Sequence, residues 1–261
     1  MAAPPKPIPL NDFTSILHTF SNFFTLAIHN ILYVRGLYPE DSFIKAKAYN
    51  YPVRQNRHPK VCEWINDAVK AVEDQIAGGK VEKVSVVIHD EQNRVRERWV
   101  FDLSAWPVVD RRDRFVEFED REDLKGKGKE KESESTEPPT AKEMRAEKRE
   151  KLKVKMVDIE QQLRATIRML NYTGEKMTPL PEDCTFTVMV ELRDEAEPPI
   201  DHPHKQPWEA SVPDLQTTRD KEAGDAKRGN ALGGDRSRPV RTIDSGAFVL
   251  ETWVEEAEIN D

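Results

Sequence analysis

The chain has 261 residues, 34% of them charged and 37% hydrophobic, with a formal net charge of −8. That length holds one domain of ordinary size with insertions, and its apolar residues must be concentrated to make a core. The acidic balance excludes a general phosphate-gripping surface, leaving room only for a local basic stripe, and no apolar run reaches the roughly 18 residues of a membrane span. Residues 1–10, MAAPPKPIPL, lack an apolar signal core and read as a flexible tail. Cys62 and Cys184 lie in apolar-patterned segments and read as reduced, buried thiols, a bridge between them staying open. The expected setting is nucleus or cytosol.

Asn11 or Asp12 can cap a helix whose apolar positions are Phe13, Ile16, Leu17, Phe20, Phe23, Phe24, Ala27, Ile28, Ile31 and Leu32. Steps of three and four without a break predict a wide buried face, and Gly36 supplies the left-handed residue that stops the helix. Residues 37–58 read as irregular, with Tyr38-Pro39 and Tyr51-Pro52 as turn or extended points. Pro59 suits the first turn of a second helix, with Val61, Ile65, Ala68, Val69, Val72 and Ile76 inward, Trp64 at the margin and Gly78-Gly79 as its end. A ring at that margin suits a core or a groove equally.

Two strands are expected next, Val84–His89 and Val95–Leu103, joined by the polar turn Asp90–Arg94. Beyond Pro107 the composition changes. In residues 121–150, 18 of 30 are charged, nine basic and nine acidic, which predicts a disordered or loosely helical insertion over about 108–152. Ala141–Lys153 is rich in helix formers and runs into a third helix marked by Val154, Val157, Leu163, Ile167 and Leu170. Cys184–Leu192 alternates as a strand. Residues 194–245 are rich in proline, glycine and charge, with Trp208 isolated among them, and Ala247–Glu255 is a last strand. The order predicts an α+β fold, an antiparallel sheet with three helices packed on one side. A loop of about 50 residues within one domain needs a function or disorder to account for it.

Several chemistries are not supported. His202-Pro203-His204 lacks a third metal ligand, and the carboxylates of Asp110–Asp123 alternate with arginines on no fixed scaffold. There is no phosphate loop, nucleophile elbow or histidine-paired nucleophile signature. Residues 216–241 carry seven basic and four acidic side chains, so weak phosphate contact through Arg236, Arg238 and Arg241 is one reading and a solvated loop the other.

Ile31-Leu32-Tyr33-Val34-Arg35 with Tyr38-Pro39, and Arg98-Trp99-Val100-Phe101-Asp102, are motifs that resemble the HORMA family. Lys47–Val53, His58-Pro59, Val81–Val84, Cys184–Val188 and Pro207-Trp208 are similar to its branch of accessory subunits of the translesion DNA polymerase zeta. The likeness covers residues 11–105 and 154–192 well and the C-terminal part thinly. The insertions near 108–152 and 216–236 depart from the family pattern and read as lineage-specific, fungal additions.

The resemblance implies the HORMA fold, with a core over 11–193 and a "safety belt" over 194–261 that closes on a partner peptide. It implies a non-catalytic adaptor in DNA damage tolerance that needs no cofactor or metal. The peptide, proline-containing and from the polymerase zeta catalytic subunit, would meet Trp64, Trp208, Trp253, Glu251 and Val240. A glutamine and a tyrosine of the family become Glu251 and Trp253 here. Flat rings suit pyrrolidines. Arg164 and Lys45 match a second family surface, for another HORMA copy or another translesion polymerase, and lysine cannot replace a bidentate arginine there. DNA would be met only indirectly, and no membrane is implied. A spindle-checkpoint or other HORMA adaptor is the alternative within the family, and a nucleic-acid binder through 216–241 the alternative outside it.

Overall fold

The computed structural model describes residues 12–109, 112, 114, 141–194, 196–200, 207–211, 236–245 and 248–257, with backbone alone over 141–157. The tail, residues 115–140, the carboxylates of Asp110–Asp123, the pair His202/His204 and the insertion over 216–235 lie outside these residues.

Helix α1, Phe13–Val34, is the centre of the molecule. Asp12 caps it: its carboxylate accepts the Ser15 N–H at 2.8 Å, and Ser15 Oγ in return accepts the Asp12 N–H. Gly36, at φ +69°, ends it. All the predicted apolar positions are buried, and so are Ser15, Ser21, His29 and Asn30. A helix with one solvated face would expose those polar groups, so something covers the polar side.

The cover is a hairpin that the sequence analysis read as irregular. Strands β1, Phe43–Ala48, and β2, Tyr51–Asn56, pair antiparallel through a turn at Tyr49 and Asn50, whose φ angles are +48° and +57°. Two left-handed residues in a row suit the two-residue hairpin turn, but the glycine that advertises it is missing. Pro52 argued against a strand, yet it pairs with Lys47 in a two-stranded sheet, where an unused donor edge tolerates proline. Side chains of α1 stand in for a third strand: Asn30 Oδ1 accepts the Arg54 N–H and His29 Nδ1 accepts the Asn56 N–H, both at 3.3 Å. Burial holds the His29 imidazole down at about 4, so it stays neutral and free to accept.

Helix α2, Pro59–Ala77, starts at its proline and ends at Gly78, with Gly79 at φ +71° beyond. Strands β3, Val81–His89, and β4, Val95–Asp102, follow as expected. Helix α3, Ala141–Lys176, merges the charged helix-forming stretch with the predicted third helix. It approaches α1 closely at Gly174, where a Cβ would fall 2.6 Å from Val34 Cγ1. Strand β5 is Thr185–Leu192, and the last strand is Val249–Glu256. Between them stands a strand the sequence analysis placed in the long loop, β6, Arg236–Asp244, so the last strand is β7. Its register shifts between Pro239 and Arg241, leaving only Val240 and Ile243 buried. A bulge of that kind breaks the alternation by which strands are recognised.

The five-stranded antiparallel sheet has the order β5-β3-β4-β7-β6. One face packs on the helices. Trp99 and Phe101 are fully buried there, with Phe24 edge-on to Phe101 at 5.1 Å. Burying rings and branched side chains of this size contributes roughly 1.5–3 kcal/mol each. The other face carries an ionic lattice in which Arg98 joins Glu191 of β5, at 2.7 Å, to Glu255 of β7, at 2.8 Å. One buried ion pair sits on the helix side: Arg35 Nη2 lies 2.6 Å from Glu97 Oε1, and Arg35 also donates to the carbonyls of Gly174 and Thr178. It thereby bolts the end of α1 to β4 and to the end of α3. Burial raises the Glu97 carboxyl above its ordinary range in spite of Arg35.

Candidate peptide-binding site

Strand β5 is an edge strand, and among the described residues nothing pairs with its outer side. Its inward residue Phe186 stands edge-on to Trp64 of α2, centroids 4.9 Å apart, and to Tyr38 at 6.5 Å. Trp64 is thus held half-buried at the rim of the core, between the two readings its sequence position allowed. Arg193 pins the chain just after β5, its backbone N–H meeting Lys80 O at 2.8 Å and its guanidinium meeting Val81 O and Leu103 O. The chain then re-enters the sheet at β6, on the opposite edge. On the way, Pro207–Ser211 lies outside β5, with Ser211 Oγ 3.5 Å from Met189 Sδ.

Between that segment, β5 and α2 runs a cleft of about 370 Å³. Trp64 and Trp208 both line it, with Val72, Val188, Met189 and His89. Such a slot presents apolar walls, an unpaired strand edge and a few polar groups, the combination that takes an extended peptide by strand addition. His89 Nε2 meets Thr187 Oγ1 at 3.2 Å, and burial lowers the imidazole pKa, so the neutral ring faces the slot.

The other residues assigned to this peptide are not in the slot. Trp253 of β7 pairs with Val100 of β4, and its ring lies on the helix-free face of the sheet, its Nε1 donating to Glu255 at 2.8 Å. Three strand spacings separate β7 from β5, about 14 Å. Glu251 is exposed on the same helix-free face. Val240 is 6% exposed and packs into the main core. Of the three indoles expected together, Trp64 and Trp208 share one cleft, while strand order and the pleat put Trp253 on another surface.

Arg164 and Lys45 do not line one cleft. Lys45 is exposed on β1, opposite Arg54. Arg164 lines a second cleft, of about 760 Å³, with Arg168 of α3, Arg241 of β6, and Asn50 and Tyr51 of the hairpin tip. Arg168 went unnoticed in the sequence, and Arg241 was read there only with Arg236 and Arg238, as a phosphate contact. The spacing of Arg164 and Arg168, four residues on a helix, was a readable sign that they share a face. Arg238 is occupied by Glu256 at 2.8 Å, so β6 does not present its arginines as one basic stripe. Both cysteines are free and half-buried, less sheltered than expected, with Cys62 Sγ donating to Asn56 O. Among the described residues no group of His, Cys, Asp or Glu is placed to hold a metal ion, and no helix is long and apolar enough to cross a membrane.

Among the described residues, an edge strand with nothing paired to its outer side, a segment laid over it and a hairpin docked on the far edge frame an apolar slot. The HORMA domain family matches residues 17–223, and the chain belongs to that family. Within it, the chain is 29% identical to the DNA polymerase zeta processivity subunit of Schizosaccharomyces pombe, over 93% of each chain. It is 30% identical to the mitotic spindle assembly checkpoint protein MAD2B of Gallus gallus, over 72% of this chain and 70% of that one. In solved structures, the fold is shared with a chain of the mitotic checkpoint complex, with TM-score 0.60 and 18% identity over 92% of this chain and 98% of that one. It is shared too with C. elegans HTP-2 bound to a HIM-3 closure motif, with TM-score 0.59 and 12% identity over 99% of this chain and all of that one.

Proposed function

We propose that this protein is a non-catalytic adaptor of the translesion polymerase zeta, acting in the nucleus in DNA damage tolerance. It holds an extended, proline-containing peptide of the catalytic subunit in the slot along β5. One observation carries the reading: Trp64 of α2 and Trp208 of the crossing segment, far apart in sequence, line a single cleft at an open strand edge. The similarity to the S. pombe processivity subunit, which spans nearly all of both chains, supports the choice of partner. Two indoles grip pyrrolidine rings while the β5 edge takes the peptide backbone. The crossing segment lies outside the ligand, so release requires that segment to move, and k_off is slow. The α3 surface around Arg164 is then free for a second macromolecule, another HORMA copy or another polymerase.

A spindle-checkpoint adaptor is the second reading, favoured by the MAD2B relatives and the likeness to the checkpoint-complex chain. Affinity purification from DNA-damaged cells separates the two. Recovery of a large B-family polymerase, lost in Trp64→Ala and Trp208→Ala, supports the first reading. Recovery of mitotic checkpoint proteins alone sinks it.

A further inference from the structure

Three arginines meet where α3, the β1–β2 tip and β6 converge. Arg164 and Arg168 share one face of α3, and Arg241 reaches the same cleft from β6. None of the three has an ion pair among the described residues, on a chain with 48 acidic and 40 basic side chains. Three other arginines of the sheet are matched: Arg96 by Asp90, Arg98 by Glu191 and Glu255, and Arg238 by Glu256. Among the described residues, Asp158 is the one acid in the wall of the arginine cleft, against three guanidinium groups. Clustered like charges repel, and such a cluster is stabilised by an anion from outside the chain.

We infer that this cleft binds an acidic peptide segment of a partner protein, with side-chain carboxylates or a phosphorylated side chain received by Arg164, Arg168 and Arg241. A guanidinium fork takes either group through two parallel hydrogen bonds. The surroundings favour a peptide over a nucleic acid. The cleft is a local concavity, its wall includes Asp158, and the next arginine along β6, Arg238, is held by Glu256. A phosphate backbone needs an extended basic row, and the chain as a whole is acidic.

The site also depends on the position of the C-terminal hairpin. Gln162 of α3 grips the end of β6 at both polar atoms: Nε2 donates to Asp244 O and Oε1 accepts the Asp244 N–H, each at 3.0 Å. This clamp sets Arg241 beside Arg164 and Arg168. Undocking β6 and β7 from β4 would take Arg241 away, so the acidic ligand binds the docked arrangement and stabilises it by linkage.

The test uses the full chain and fluorescence anisotropy with a short labelled peptide of alternating glutamate and serine. A phosphoserine version, a version with lysine for glutamate, and a short oligothymidylate complete the set. Both acidic peptides are expected to bind, more weakly as salt rises, and the lysine peptide is not. Arg164→Glu and Arg241→Glu should each lower the affinity by at least about tenfold at an unchanged melting temperature. Gln162→Ala should lower it several-fold although no charge is removed, and Trp64→Ala should leave it unaltered. Acidic peptides that fail to saturate, or that bind Arg164→Glu and Arg241→Glu as they bind the parent protein, overturn the inference. So does oligothymidylate binding more tightly than either peptide and being lost in the same variants.

Discussion

The two clefts are built on opposite principles. The slot beside β5 has apolar walls along a strand edge; the cleft beside α3 is lined by three guanidinium groups and polar side chains. Yet both are completed by chain beyond residue 193. Trp208 closes the first and Arg241 the second, while Trp64 and Arg164 wait on rigid helices. A helix supplies one permanent wall in each case, and the C-terminal region decides whether the site exists. The difference in chemistry fits the two clefts to different ligands, and both depend on where the same C-terminal region lies.

The largest perturbation should abolish both sites together. Arg35→Met leaves Glu97 buried without its partner and frees the carbonyls of Gly174 and Thr178, so stability should drop by about 3–5 kcal/mol in urea unfolding. A loss under about 1 kcal/mol would mean that the pair does not bolt α1 to the sheet.

Acid should act next, and mainly on the α3 side. The folded-state pKa of His29 is about 4, below its ordinary 6.5, so the unfolded chain binds the proton more readily. The contribution is complete above pH 6.5 and is lost as pH falls toward 4, up to about 3 kcal/mol. Protonation also removes the acceptor for Asn56 N–H, loosening the hairpin whose tip lines the arginine cleft. Denaturant midpoints measured across this range should fall more steeply for the parent protein than for His29→Asn; parallel curves would refute the assignment.

Trp64→Ala should then break the apolar slot alone. A loss of about 2–4 kcal/mol in peptide affinity, roughly 30- to 1,000-fold by calorimetry, is expected for a ring of this kind. Trp253→Ala is the small effect that sharpens the contrast. With its ring about 14 Å away on the other face, affinity for the same peptide should change by less than about twofold. A loss as large as that of Trp64→Ala would restore the three-indole site.

The elements that were legible in the sequence share one trait: each is recognised from its own residues. The ten-position stripe of α1, Pro59 at the start of α2, the hairpin β3–β4 and the alternation of β5 and β7 all stand where their patterns put them. The two strand segments that escaped notice, the β1–β2 hairpin and β6, both contain a proline and break alternation. Their stability comes from partners: His29 and Asn30 for β2, β7 and Gln162 for β6. Among the candidate site residues, Trp64 was marked by its place at the margin of the α2 stripe and Trp208 by its isolation in a polar stretch. Val240 was misplaced, because a bulge turned it into the core.

Local periodicity and capping chemistry were enough to determine the helices, most strands and the class of the fold, since those depend on neighbours a few residues apart. Which side chains share a cleft was decided only by strand order, by the side of the pleat each residue occupies and by the return of the chain to the far edge. Those are long-range facts. A one-residue register shift reverses which face a side chain occupies, and no pattern within a single strand records which strand will lie beside it.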